Sequence, residues 1–142
     1  MLSFLYSLSV QRQWMYLESI FMSSEDIRKQ LPGETKLFDQ VNESFKSVME
    51  TMVANPNAKE ACGAEGMLDK LNAMDQKLET IQKSLDQYLE TKRQFFARFY
   101  FLSNDDLLEI LGQQKDPEQV QKHIKKCFIG INTLKLIPPM QR

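Results

Sequence analysis

From Leu2 to Met22 the apolar positions Leu5, Leu8, Trp14, Leu17, Ile20 and Phe21 recur at helical intervals with Gln, Arg and Glu between them, which predicts a first helix over about 2–22. Ser23-Ser24-Glu25-Asp26 offers a stop and a new cap, so a short helix over about 25–31 follows before Pro32-Gly33 turns a sharp corner. Leu37, Phe38, Val41, Phe45, Val48, Met49 and Met52 then share one face, with Lys36, Asp39, Asn42, Glu43 and Lys46 on the other, an amphipathic helix over about 34–54. Asn55 to Gly66 is rich in small residues and breakers and predicts a mobile loop with no packed core. Periodicity is strongest in the next segment. Met67, Leu71, Met74, Leu78, Ile81, Leu85 and Tyr88 alternate spacings of four and three, predicting a helix over about 66–95, some 40 Å long at about 1.5 Å per residue. Such a seam serves a dimeric coiled coil or a near-parallel bundle within one chain, and its shortness favours the bundle.

The run from Phe95 through Asp105 gathers Phe95, Phe96, Phe99, Tyr100 and Phe101 directly before a helix start. Ser103 and Asp106 fit the S-x-x-[DE] capping box, in which the hydroxyl accepts from an orphan N–H and the carboxylate reaches back, so a helix over about 103–113 begins there. Upstream, Phe95 to Leu102 is too aromatic and too short for an amphipathic surface helix; the expectation is an extended, largely buried connector. Asp116-Pro117 restarts a helix over about 117–128, with Val120, Ile124 and Phe128 in one stripe and Lys122, Lys125 and Lys126 toward its C-terminus. Ile131, Thr133, Lys135 and Ile137 alternate weakly and fit a short strand lacking its partner. The fold class expected is all-α: an elongated bundle of about five helices with one long helix, a short extended aromatic connector and a short β-strand at the C-terminal end. It is expected to form a single helical segment over residues 1–142.

A chain of 142 residues is the size of one domain. Charged residues make up 26% and cancel to a net of −1, which gives no electrostatic reason to expect nucleic acid or an anionic membrane as partner. Cys62, Cys127 and the single His123 lack zinc-site spacing, and reduced thiols in a cytosolic setting fit best. The apolar start lacks a basic n-region and a cleavage site, and no stretch approaches the length of a membrane span, so a soluble protein is expected. The five glycines never form a phosphate loop ahead of a Lys-Ser/Thr pair. Asp105, Asp106 and Glu109 lack the turn glycine and convergent oxygens of a hard-cation site and read better as a helix start. His123 and Cys127, four apart on a helix, could pair as a nucleophile, but no orienting acid or oxyanion donor is implied. Lys92, Arg93, Arg98, Lys122, Lys125 and Lys126 are mixed with acids and read as a solvated face. No catalytic, cofactor-binding or metal residue is expected. Arg98 has two structural uses open to it, stacking on an aromatic ring or pairing with a carboxylate such as Asp105 or Asp106; bridging to a neighbouring domain is the functional variant.

Gln11-Arg12-Gln13-Trp14-Met15-Tyr16-Leu17-Glu18-Ser19-Ile20-Phe21, followed by Asp26-Ile27-Arg28-Lys29-Gln30-Leu31-Pro32, closely resembles the linker region of dynein heavy chains. Three further blocks agree in order: Ile81 to Arg93, Phe96 to Leu111 against F-P-R-F-Y-F-L-S-N-D-[DE]-L-L-E-I-L, and Lys115-Asp116-Pro117 with Val120-Gln121, His123 and Lys125 to Phe128. The resemblance spans about Val10 to Leu134, and Leu102-Ser103-Asn104-Asp105 and Lys125-Lys126-Cys127-Phe128 look axonemal rather than cytoplasmic. Ala97 stands where the family usually has proline and Phe45 where tryptophan is common, and Ala97 loosens the backbone restraint at the aromatic run. Residues 1–9 match the upstream segment poorly, and the chain stops short of the first AAA+ module, as a fragment would.

The resemblance implies a non-catalytic mechanical element that arches over a ring of six AAA+ modules and swings as nucleotide state changes. Its partner would be the AAA+ ring of the same heavy chain, with other dynein subunits and microtubules engaged only indirectly. Its place would be the cytoplasm and cytoskeleton, in the axoneme of a cilium or flagellum. Trp14, Arg98, Phe99, Tyr100, Phe101, Ser103 and Asp106 are the candidate junction residues. The competing class is a freestanding helical or coiled-coil interaction protein, and an enzyme resting on His123 and Cys127 comes third.

Overall fold

The computed structural model describes residues 2–55, 57–112 and 117–135. The protein is all-α: α1 (Leu2–Ser23), α2 (Glu25–Gln30), α3 (Pro32–Ala54), α4 (Ala58–Gly63), α5 (Met67–Phe95), a 3-10 turn (Ala97–Phe101), α6 (Asn104–Gly112) and α7 (Pro117–Cys127). These residues fall into two compact units, Met1–Leu85 and Asp86–Arg142, with the boundary inside α5.

In the first unit α1 packs on α2, α3 and α4. Ser24 caps α2, its hydroxyl accepting from the Ile27 N–H at 3.3 Å. Pro32 is the first residue of α3, two positions ahead of the expected start, because its fixed φ and missing N–H suit that position. Nη2 of Arg28 lies 3.2 and 3.1 Å from the two oxygens of Asp39 while Nη1 donates to the Phe21 carbonyl at 3.4 Å, so one side chain ties the end of α1 to α2 and α3. Phe21 and Phe38 stack at 5.3 Å between centroids in a core that includes Leu17, Ile27 and Val41.

The seam of α5 is spent inside the chain. Met67, Leu71, Met74, Leu78, Ile81 and Leu85 are all buried, and α5 is joined to its unit by Gln13 Nε2 donating to Asp75 at 2.9 Å. Leu89 rather than Tyr88 continues the buried stripe, the drift of a straight 3.6-residue helix away from a strict heptad.

Three expectations are corrected. Asn55 to Gly66 is not a coreless loop: Asn57 caps α4 by accepting from the Lys59 N–H at 3.3 Å, and Ala61 and Cys62 are buried. Ala, Lys and Glu are strong helix formers, which outweighs the flanking breakers. Nor is the aromatic connector extended and buried; Ala97–Phe101 winds as a 3-10 turn, with Phe95 85%, Phe101 69% and Tyr100 55% exposed. The C-terminal strand is absent over 129–135, and among the described residues there is no strand at all; Gly130 reverses the chain at φ +88°, and the Leu134 N–H donates to the Gln121 side chain at 3.1 Å rather than to a neighbouring strand. The expected end of that strand at Ile137, and the expected end at Gln113 of the helix that begins after the aromatic run, lie outside the described residues.

Candidate functional site

The aromatic run ends α5 because Phe96 leaves the helix with φ −137° and ψ 97°, after which two i to i+3 bonds, Phe99 N–H to Phe96 O at 2.9 Å and Leu102 N–H to Phe99 O at 3.1 Å, wind the turn. Three residues per turn bring Phe96 and Phe99 together, edge to face at 4.9 Å. Arg98 lies over the Phe128 ring at 4.5 Å and donates Nη1 to the Cys127 carbonyl at 3.1 Å, which fixes the turn to the C-terminal end of α7. Of its two structural uses, stacking is the one present, with a ring contributed from far along the chain. Arg93 holds the other side, Nη2 donating to the Leu102 carbonyl at 3.3 Å and to Asn104 Oδ1 at 2.6 Å. The Tyr100 hydroxyl donates to Glu90 at 2.6 Å, which lifts its pKa above the ordinary phenol value.

Ser103 starts α6. Its hydroxyl accepts from the Asp106 N–H at 3.2 Å, and the Asp106 carboxylate accepts from Ser103 in return, so both halves of the capping box form. Lys126 Nζ donates to Asp106 Oδ2 at 2.8 Å, and with Ser103 it holds the Asp106 carboxyl down at about 2. His123 is buried beside this carboxylate, with Nδ1 3.2 Å from Asp106 Oδ1 and Nε2 3.1 Å from Glu109 Oε2, neither contact having in-line hydrogen-bond geometry. Burial pushes the Cys127 thiol up, away from the thiolate that nucleophilic work needs. The turn, Ser103 and Asp106 thus gather in the second unit.

Trp14 belongs to the first unit, where its ring stacks on Phe45 at 4.5 Å and its indole N–H donates to the buried Asn42 at 3.2 Å. The pair faces an open groove of about 740 Å³ between α1 and α3, lined also by Met15, Met49 and Val53 with Glu18, Lys46 and Glu50. Sequence reasoning missed Arg93, Phe128 and Glu109 as site residues. Only the polar Asn104 after the aromatic run hinted at a partner for a nearby arginine. Asp105, Asp106 and Glu109 do not converge on a cation position: among the described residues no three His, Cys, Asp or Glu side chains could hold a metal ion. No described helix is long and apolar enough to cross a membrane.

Residues 4–141 match the family described as dynein heavy chain, N-terminal region 2. The chain is 59% identical over 132 residues to the dynein-1-beta heavy chain, flagellar inner arm I1 complex, of Chlamydomonas reinhardtii, covering 93% of this chain and 3% of the relative. Human dynein axonemal heavy chain 2 is 61% identical over 129 residues, 91% of this chain and 3% of the relative. The Chlamydomonas reinhardtii dynein-1-alpha heavy chain of the same I1 complex is 51% identical over 119 residues, 84% of this chain and again 3% of the relative. The chain therefore spans only a small part of the length of these relatives.

Proposed function

The chain belongs to the dynein heavy chain family, and from that premise we propose that it is a non-catalytic mechanical segment of the linker of an axonemal heavy chain. In this role it passes ATP-driven changes of the AAA+ ring into the power stroke of microtubule-based ciliary movement. The observation that carries the reading is a match across nearly the whole chain, residues 4–141, together with 59% and 61% identity to flagellar and axonemal heavy chains. Its partner is the AAA+ ring of the same heavy chain, and it works in the axoneme, as part of the cytoskeleton of a cilium or flagellum. The higher identity to dynein-1-beta than to dynein-1-alpha, 59% against 51%, supports a parent more like the beta than the alpha heavy chain.

The local structure supports a part that transmits force. A lever needs directional changes of the chain that do not yield under load, and the turn after α5 is tied on one side by Arg93 and on the other by Arg98. Arg98, Phe99, Tyr100, Ser103 and Asp106 serve this role as positioning residues in the second unit, while Trp14 braces α1 on α3 in the first. Chemistry has little to work with: the Cys127 thiol is held protonated by burial, and both nitrogens of His123 face carboxylates.

The test uses a full-length axonemal heavy chain carrying R93A and R98A together. Microtubule gliding should slow while ATP turnover by the ring persists; gliding at the wild-type rate would overturn the mechanical reading. The 142-residue chain alone should neither hydrolyse ATP nor sediment with microtubules. Turnover abolished by H123A or C127A would establish the enzymatic reading instead.

A further inference from the structure

The groove in the first unit lies between two antiparallel helices, since Trp14 of α1 meets Phe45 of α3 while Phe21 meets Phe38. Its floor is the stacked Trp14 and Phe45, and its walls carry Met15 on α1 with Met49 and Val53 on α3. Apolar surface continues beyond it. Leu8 and Met22 lie one heptad to either side of Met15, and Leu8, Met15 and Met22 are 40%, 54% and 53% exposed, a stripe of about 21 Å along α1 at 1.5 Å per residue. A strip so long and narrow matches the apolar edge of a third helix rather than a small molecule. The rim carries a surplus of negative charge. Glu18 stands on the α1 wall and Glu50 on the α3 wall, with Lys46 one turn before Glu50, and among the described residues none of the three is in an ion pair.

We propose that this groove is the docking site for a basic amphipathic helix of a separate polypeptide, whose apolar stripe covers Trp14, Met15, Met49 and Val53 and whose lysines or arginines meet Glu18 and Glu50. Charge complementarity selects the partner: a carboxylate on each wall, left unpaired by this chain, calls for a cation on each flank of the incoming helix. Trp14 is the rigid anchor, its indole held by the hydrogen bond to Asn42 at 3.2 Å, while the flexible thioethers of Met15 and Met49 mould to the side chains laid against them. An aromatic and methionine centre inside a charged rim is the makeup of a contact that forms and dissolves between chains. A second copy of this chain is the wrong partner, because a two-fold pair sets the same acidic rim against itself.

Trp14 is the only tryptophan of the chain and lines the groove, so its fluorescence reports occupancy directly. The probe is a tryptophan-free helical peptide of about 14 residues, long enough for the stripe, with Leu along one face and Lys on both flanks, compared with a twin in which every Lys is Glu. The Lys peptide should shift the emission saturably, and the Glu twin should bind about tenfold more weakly. V53D, at a position 79% exposed, should abolish the response while circular dichroism stays unchanged, and E18K with E50K should reverse the preference between the twins. In a full-length heavy chain within its assembled complex, a benzophenone side chain in place of Val53 should cross-link to a Lys- or Arg-rich helical segment of another subunit. No response to the Lys peptide, equal binding of the two twins, emission that changes with the concentration of the chain alone, or a cross-link that stays within the heavy chain would overturn the proposal.

Discussion

At Ser103 one hydroxyl and one neighbouring carboxylate satisfy backbone groups that the start of α6 would otherwise leave to solvent. S103A should cost about 1 kcal/mol, as loss of such a cap does, measured by urea denaturation followed by circular dichroism. Asp106 adds a pH signature of its own. Its carboxyl is depressed from 3.8 to about 2 in the folded chain, so its contribution is complete above the unfolded value and is lost as pH falls from about 4 toward about 2. D106N should remove that acid limb of the stability profile, read from thermal midpoints over the same range. The cap was legible in the sequence because Ser103 and Asp106 are three residues apart. The Arg98 partner was not, since Phe128 comes close to the turn only once α7 has packed on it. His123 was read as a possible companion of Cys127, its neighbour one helical turn away, whereas α6 supplies the groups that face its nitrogens.

Among the elements, α5 carries the most information in its spacing, and a 29-residue helix with a continuous apolar stripe admits little ambiguity. Within that stripe burial separates positions that the heptad treats alike. L78A should cost about 2–5 kcal/mol, since Leu78 is fully buried, whereas Y88A should cost well under half as much, Tyr88 being half-buried beside the Lys92 ammonium. Thermal melts of the two variants decide it. The short elements were hidden for different physical reasons. α4 has only six residues, too few for a periodic pattern, and the 3-10 turn has a period that neither the strand nor the α-helix template detects. At the start of that turn Ala97 follows a residue already in the extended conformation that proline demands of its predecessor. A97P should raise stability by about 0.4–1 kcal/mol through the unfolded chain, with denaturation midpoints as the measurement.

For the molecule as a whole, the decisive choice was whether the α5 seam faces another chain or its own. Leu71, Leu78, Ile81 and Leu85 are buried within the chain itself, so the seam is not available to build a coiled coil between copies. Sedimentation equilibrium should return the monomer mass of 16.6 kDa at every loading concentration. A dimer abolished by L78D and L85D in a chain still helical by circular dichroism would restore the interaction-protein reading. Helical class and the order of the main helices were readable because each long element carries its own periodic stripe. The division into two compact units was not, because it falls inside a helix whose sequence pattern continues through it without a break.

Both arginines at the aromatic turn close on main-chain oxygens, Arg93 on that of Leu102 and Arg98 on that of Cys127. A carbonyl is supplied by whatever residue occupies the position. Substitutions at 102 or 127 can alter packing without deleting the acceptor, while loss of either guanidinium removes the bond outright. The turn is thereby robust to drift on one side of each contact and fragile on the other, and this asymmetry marks the two arginines as the points where a single inherited change would slacken the joint.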